Sequence, residues 1–211
     1  MTSNAPRVEV AVFAKAPVAG QVKTRLVPLL GPEGAARLHA ALVRRALATA
    51  VQAGIGPVEL WCAPDESDPF FARCAGEFGV ALRKQEGADL GARMAHAFDA
   101  AFARERSLVL IGSDCPALQA TDLQDAARAL SSHDAVLAPA EDGGYVLVAL
   151  ARRLPIFEDI SWGGSTVMAQ TRARLEACGA SWRALPTLWD VDRPEDYARL
   201  QGAELAPDVR A

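Results

Sequence analysis

Val8-Glu9-Val10-Ala11-Val12-Phe13-Ala14 runs into Lys15-Ala16-Pro17 and then into Gly20-Gln21-Val22-Lys23-Thr24-Arg25. A short, mostly apolar run rich in valine that stops at a Lys-Ala-Pro turn reads as a buried strand of a parallel sheet. Past the basic loop, Pro32 and Glu33 suit a helix start. Leu38, Leu42, Ala46 and Ala50 recur along one face, and Gly54 supplies a stop. A strand, a loop and a crossover helix in that order are the first unit of an α/β fold.

The same rhythm continues outward. Val58 to Cys62 reads as strand, Phe70 to Gly76 as a short helix, Val80 to Leu82 as strand and Leu90 to Arg106 as helix. Leu108-Val109-Leu110-Ile111 is the most apolar strand and ends abruptly at Gly112-Ser113-Asp114. Thr121 is expected to cap the next helix, with Gln124 as its reciprocal partner. Ala135 to Ala138 and Tyr145 to Val148 read as two later strands around Gly143-Gly144. Alternating strands and helices imply a three-layer α/β domain with a mainly parallel sheet and right-handed crossovers. The expected organisation is one domain over residues 1–211. Residues 8–115 would form a nucleotide-binding half, 116–200 an acceptor-side half, and 202–211 a frayed tail.

Composition narrows the function classes. The chain has 211 residues and a formal net charge of -4, which argues against binding a polyanion such as nucleic acid over a broad surface. Any phosphate it holds should be small and locally held. Cys62, Cys74, Cys115 and Cys178 are too scattered for a zinc site or a disulfide framework. Residues 1–7 lack a signal pattern, and no stretch is long and apolar enough to span a membrane. The expectation is a cytoplasmic protein that works on small molecules.

In open parallel sheets the ligand crevice lies beyond the carboxyl ends of the strands. Three loops there could carry chemistry. Lys15 to Arg25 combines flexible backbone with cations: Lys23 offers a point charge and Arg25 a bidentate fork for phosphate. It is not a Walker A loop, and a solvated basic turn is the plain alternative. Asp114, after the most apolar strand, is placed to hold Mg²⁺ or Mn²⁺ with phosphate oxygens and water, or else to cap a turn. In Asp190-Val191-Asp192-Arg193-Pro194-Glu195-Asp196, alternation puts Asp190 and Asp192 on one side. Asp192 could complete the metal site or act as helix N-cap, with Glu195 closing a capping box.

Together these loops carry a family resemblance. Phe13 to Pro17 with Val22 to Leu26, Gly87-Ala88-Asp89-Leu90-Gly91-Ala92-Arg93-Met94, Gly112 to Pro116, Asp142-Gly143-Gly144-Tyr145 and Asp190 to Asp196 resemble, in order, the blocks of the bacterial DUF2064 proteins. Those proteins are described as nucleotide-diphospho-sugar or glycosyl transferases. The resemblance spans about residues 8–200 and implies the GT-A-like fold shared with molybdenum cofactor and phospholactate guanylyltransferases. It implies that Lys23 and Arg25 meet phosphate and that Asp114 binds the divalent ion. Candidate nucleotide contacts are Lys15, Gly20, Lys23, Arg25, Asp89 and Gly91; candidate metal ligands are Asp114 and Asp192; candidate catalytic residues are Asp114, Lys23 and Asp142. Position 112 is Gly, so the Asp-x-Asp motif usual in glycosyltransferases of this fold is missing, and the lone Asp114 looks more like the nucleotidyltransferases.

His39, His96 and His133 fall in or beside helices with no adjacent nucleophile and read as surface or structural residues. Cys115 reads as a small packing residue. Trp162, ahead of Gly163-Gly164-Ser165-Thr166, could grip an acceptor or lead into a helix cap. The leading expectation is metal-dependent sugar transfer from a nucleotide-diphospho-sugar to a small acceptor. The alternative is nucleotidyl transfer with pyrophosphate release, and the third is a nucleotide-binding module without catalysis.

Overall fold

The computed structural model describes residues 7–203. The expected tail beyond residue 203 and the leader reading of residues 1–6 lie outside that range. β1 (Val8–Lys15) is buried at every position except its last. It lies between β2 (Val58–Ala63) and β4 (Ser107–Gly112), parallel to both. With β3 (Ala81–Lys84), β5 (Ala135–Pro139), β6 (Tyr145–Leu150) and β7 (Trp182–Ala184), the sheet runs in the order β3-β2-β1-β4-β6-β5-β7. Only β6 is antiparallel to its neighbours β4 and β5. The short turn after β5, with Gly143 at φ 91°, returns the chain alongside the strand just left, and so short a link cannot make a parallel crossover. One mainly parallel sheet therefore carries both halves of the chain.

Helices cover both faces. Val10, Val12 and Ala14 pack with α1 (Val27–Ala53), α2 (Pro69–Phe78) and α4 (Ala120–Ala129). Ala11 and Phe13, pointing the other way, pack with α3 (Leu90–Phe102) and α5 (Val167–Ala177). These are the three layers expected. A third apolar cluster joins Leu26, Leu38 and Leu42 to Trp189, Val191 and Tyr197, seating α6 (Pro194–Gly202) beside α1. Among the described residues no helix is long and apolar enough to cross a membrane.

The boundaries follow local chemistry. The regular part of α1 starts at Pro32, because Gly31 at φ 70°, ψ 165° breaks the turn before it, and Gly54 at φ 63° ends it. α3 stops at Phe102 rather than Arg106, and Glu105 beyond it is left-handed at φ 56°. Thr121 does not cap α4. Gln119 precedes the helix, and the Asp122 carboxylate accepts its N–H at 2.8 Å. Gln124 instead donates to Ala53 O at 3.0 Å, tying α4 to α1. Asp192 is likewise not the cap of α6: Arg193 holds that position, and Asp196 accepts its N–H at 2.8 Å.

Candidate active site

Two cavities open at the carboxyl end of the parallel strands and meet at Asp114. The larger, about 450 Å³, lies under the basic loop and is lined by Lys15, Lys23, Arg25, His39, Gln85 and Asp192 among others. The smaller, about 290 Å³, is walled by Met94, Tyr145, Val146 and Trp162 and carries Asp142 and Asp190. Phe13, Leu90 and Gly112 border both. The sheet explains the meeting point: β4 pairs in register with β1, so the loops after both strands leave side by side.

Asp114 is the hub. Its side chain is 47% exposed, and Lys23 Nζ lies 2.9 Å from its Oδ1. His39 Nδ1 stands 3.8 Å from the same oxygen, and Ser113 Oγ donates to it at 3.5 Å. The Ser113 hydrogen bond and the nearest Lys23 and His39 contacts all fall on Oδ1, so Oδ2 is the less engaged oxygen of a residue that borders both cavities. Burial pushes the Asp114 carboxyl up, but the Lys23 ammonium and then His39 outweigh it and hold the group well below the usual carboxylate range. It is ionised at neutral pH.

Lys23 does not project into solvent from a flexible basic turn. Its side chain is 3% exposed, its backbone is left-handed at φ 48°, ψ 40°, and it also donates to Val191 O at 2.5 Å. Val191 N in turn donates to Asp114 O at 2.9 Å. Arg25 stays at the surface and pairs with Asp192. Lys15 is exposed on the rim of the same cavity, and Gly20 turns the loop at φ 76°.

The Asp190 to Asp192 segment alternates as the sequence implies. Trp189 and Val191 point into the third apolar cluster, so Asp190 and Asp192 face the site. Burial, followed by repulsion from Asp142 and then Asp114, raises the Asp190 carboxyl to about 6. Asp142 is exposed and accepts the Gly144 N–H at 2.8 Å, which shapes the turn between β5 and β6. Asp89 and Gly91 stay outside the two central cavities. Asp89 caps α3 by accepting the Ala92 N–H at 2.8 Å, and Gly91 lies against Trp162; both line a shallower acidic recess beyond that indole. Leu90 and Met94 are the residues of that block that reach the site, Leu90 bordering both cavities and Met94 the smaller one.

Two site residues escape sequence reasoning. His39 is buried and uses Nε2 on Lys15 O at 3.0 Å, which aims its other nitrogen at Asp114. Gln85 is buried too, and its amide donates to Ala14 O at 3.2 Å and Trp61 O at 2.8 Å, so its own oxygen remains as an acceptor beside the larger cavity. The helical position of His39 beside Leu38 and Leu42 was the one available signal; nothing in the sequence marked Gln85. The other two histidines are peripheral: His96 is exposed with its ring edge on Trp61, and His133 hydrogen-bonds within its own turn. Burial pushes the Cys115 thiol up to about 12, which fits a packing residue.

Among the described residues no three His, Cys, Asp or Glu side chains close into a ready-made metal cage. That donor set still suits Mg²⁺ or Mn²⁺, hard cations that take one or two carboxylates and complete their shell with phosphate and water. Asp114, where the two cavities meet, and Asp142, Asp190 and Asp192 along them are the carboxylates within reach of such an ion, Asp192 being paired at the surface with Arg25.

A single α/β sheet with a basic loop and a strand-end aspartate at its crevice is the arrangement of the α/β domains that hold ligands beyond the carboxyl ends of their strands. Residues 46–164 match the family of uncharacterised proteins conserved in bacteria known as DUF2064, and the chain belongs to that family. It is similar to a 3-phospho-D-glycerate guanylyltransferase of Phenylobacterium zucineum strain HLK1, 31% identical over 180 residues that cover 82% of this chain and 81% of that one. In structure it is similar to a proposed nucleotide-diphospho-sugar transferase of Desulfovibrio desulfuricans G20, with a TM-score of 0.81 and 29% identity over 89% of this chain and 83% of the other. A nucleotidyl transferase from Methanothermobacter shares the fold at a TM-score of 0.60 and 15% identity, over 93% of this chain and 96% of that one. The chain is accordingly a transferase, with nucleotidyl transfer at least as well supported among its relatives as sugar transfer.

Proposed function

We propose that the protein transfers a guanylyl group from GTP to a small phosphorylated acceptor, releasing pyrophosphate. The observation that carries this reading is Asp114, a half-exposed carboxylate standing where a cation-rich cavity meets a separate, carboxylate-lined one. Such a junction suits two substrates brought together at one centre. The similarity to a guanylyltransferase over most of both chains supports GTP as the donor, and the missing acidic residue at Gly112 favours nucleotidyl over sugar transfer.

The chain's own residues divide the work. Lys15 and Arg25 offer charge to the phosphates from the rim of the larger cavity, while Gln85, with a free amide oxygen, and Leu90 line it too and offer contacts to the nucleoside. Trp162 and Tyr145 wall the acceptor cavity, and Asp142 and Asp190 line it. When bound, a Mg²⁺ or Mn²⁺ ion supplies charge stabilisation for phosphoryl oxygens. It also offsets the carboxylates that a phosphorylated acceptor would otherwise meet. An acceptor phosphate oxygen forms a bond to the α-phosphorus, the bond from that phosphorus to the bridging oxygen breaks, and pyrophosphate leaves. Catalysis of this kind rests on positioning and electrostatics. The nucleotide side draws on residues 8–115 and the acceptor side mainly on 116–200, in the cytoplasm, where GTP is abundant.

The deciding measurement is product analysis with GTP, Mn²⁺ and phosphorylated acids including 3-phosphoglycerate. Stoichiometric pyrophosphate release is expected. Sugar transfer is the second reading, favoured by the name of the 29% identical Desulfovibrio protein. Release of a nucleoside diphosphate from a nucleotide sugar, with no pyrophosphate from any nucleoside triphosphate, would replace the first reading with the second.

A further inference from the structure

Lys23 is placed where a free phosphate-binding lysine would not be. Its ammonium is buried, 2.9 Å from Asp114 Oδ1 and 2.5 Å from Val191 O, and Val191 is the residue between Asp190 and Asp192. Together with the Val191 N–H to Asp114 O bond at 2.9 Å, this one side chain holds the strand-end carboxylate and the 190–192 segment together. Its backbone sits at φ 48°, a left-handed conformation that a residue other than glycine adopts only where its surroundings dictate it. Lys15, in contrast, lines the same cavity, is exposed, and has no ion-pair partner among the described residues. Arg25 is 61% exposed.

Resting on the reading of Asp114 as a carboxylate that takes a divalent cation, we infer that Lys23 is a positioning residue and built-in counter-ion. It neutralises Asp114 in the nucleotide-free protein, so that a divalent cation enters only as its complex with nucleotide phosphates, and Lys15 with Arg25 supplies the charge those phosphates meet. The reason is electrostatic. Whatever other carboxylate it used, a divalent ion on Asp114 would lie beside the buried ammonium already paired with that carboxylate, and like charges that close in a partly desolvated site repel strongly. Phosphate oxygens bring the negative charge that lets both cations remain. The substrate taken up is then the metal–nucleotide complex, and neither ordered metal binding to the free protein nor release of bare metal is part of the cycle.

The test is direct Mn²⁺ binding to the full chain without nucleotide, read from the electron paramagnetic resonance signal of free Mn²⁺. Wild type is compared with Lys23→Met, which removes the charge, and Lys23→Gln, which removes the charge but keeps a donor for Val191 O. Both variants should bind Mn²⁺ about tenfold or more tightly than wild type, within the usual range of coupling between sites. Lys15→Met should leave Mn²⁺ binding within about twofold while weakening binding of Mn²⁺·GTP about tenfold. Lys23 variants that are folded, as judged by their melting curves, and bind Mn²⁺ no better than wild type overturn the inference. Wild type supplies a second arm that needs no variant: Mn²⁺ alone should leave its melting temperature unchanged, whereas Mn²⁺ with GTP should raise it. An equal rise with Mn²⁺ alone also overturns the inference. Failure of wild type to bind GTP under any condition would instead remove the proposed donor, a result the Mn²⁺-only comparison keeps separate.

Discussion

Gly91 lies directly beneath the indole of Trp162: a Cβ at position 91 would stand 2.7 Å from that ring and 2.6 Å from Phe157 O. The first turn of α3 therefore backs the wall of the acceptor cavity from its outer side. Gly143 does the same for the turn beside it, since a Cβ there would meet Ser165 O at 2.1 Å, and Met168 N donates to Gly143 O at 2.8 Å. The two contacts lock the 140–145 turn and the 161–168 segment into one wall.

Gly91→Ala should consequently push Trp162 out of position. Overpacking of this kind costs about 1–3 kcal/mol. The melting temperature should fall, and indole fluorescence should report a changed environment. If Trp162 walls the acceptor cavity, the acceptor KM should rise while binding of Mn²⁺·GTP changes little. A loss confined to nucleotide binding would place the acceptor elsewhere.

Asp114→Asn removes the carboxylate charge and leaves Lys23 buried without its ion-pair partner. Turnover should fall at least a hundredfold, the order seen when one preorganised charge-stabilising group is lost. Stability should fall too, because the buried Lys23 ammonium loses the carboxylate that compensated it. Turnover of Asp190→Asn separates the two carboxylates. If Asp190 shares the cation with Asp114, its variant should need more Mn²⁺ for half-maximal rate; an unchanged Mn²⁺ requirement would remove Asp190 from the ion's ligands.

How much of this was open to reading from the chain depends on the range of the interaction. β1 is apolar from Val10 to Ala14 and β4 from Leu108 to Ile111, and Gly54 ends α1 by a local backbone preference, so each announces itself within a few residues. The α4 start differs from the expected one because Thr121 is the better cap by residue type, whereas the path of the chain after β4 puts Gln119 at that position, held by Asp122 on its N–H. The carboxylates at Asp114 and Asp190 were visible as strand-end and alternating positions. The inward turn of Lys23 was not, since its left-handed backbone and its partners Asp114 and Val191 come from distant parts of the chain. His39 shares a buried helical face with Leu38 and Leu42, and only the tertiary fold reveals that this face ends against Asp114.

Arg25 and Arg44 make a matched comparison. Both are surface arginines in ion pairs, Arg25 with Asp192 at the site and Arg44 with Glu77 between α1 and α2. Exposed pairs contribute about 0–1 kcal/mol, so neither Arg25→Ala nor Arg44→Ala should move the melting temperature by more than a few degrees. Their functional effects should diverge. Arg25→Ala should weaken binding of Mn²⁺·GTP, and Arg44→Ala should leave it unchanged, as read by a thermal-shift titration. Equal losses at both positions would mean that the loop acts only through general surface charge.

At the opposite end of the sheet, Glu9 and Glu59 are carboxylates buried on neighbouring strands, with side chains 6% and 9% exposed. Arg104 reaches both, at 2.5 Å and 3.3 Å, while Arg106 adds a contact to Glu9 and Arg83 one to Glu59, each at 3.0 Å. Removing the shared arginine strands two like charges side by side in a poorly solvated place. Arg104→Leu should cost about 3 kcal/mol, the lower end of the range for breaking a buried pair, because Arg106 and Arg83 remain. Denaturant unfolding would measure the loss. Since none of these residues lines the cavities around Asp114, turnover per folded molecule should be unchanged; a parallel fall in turnover would show that this network sets the geometry of the site through β1.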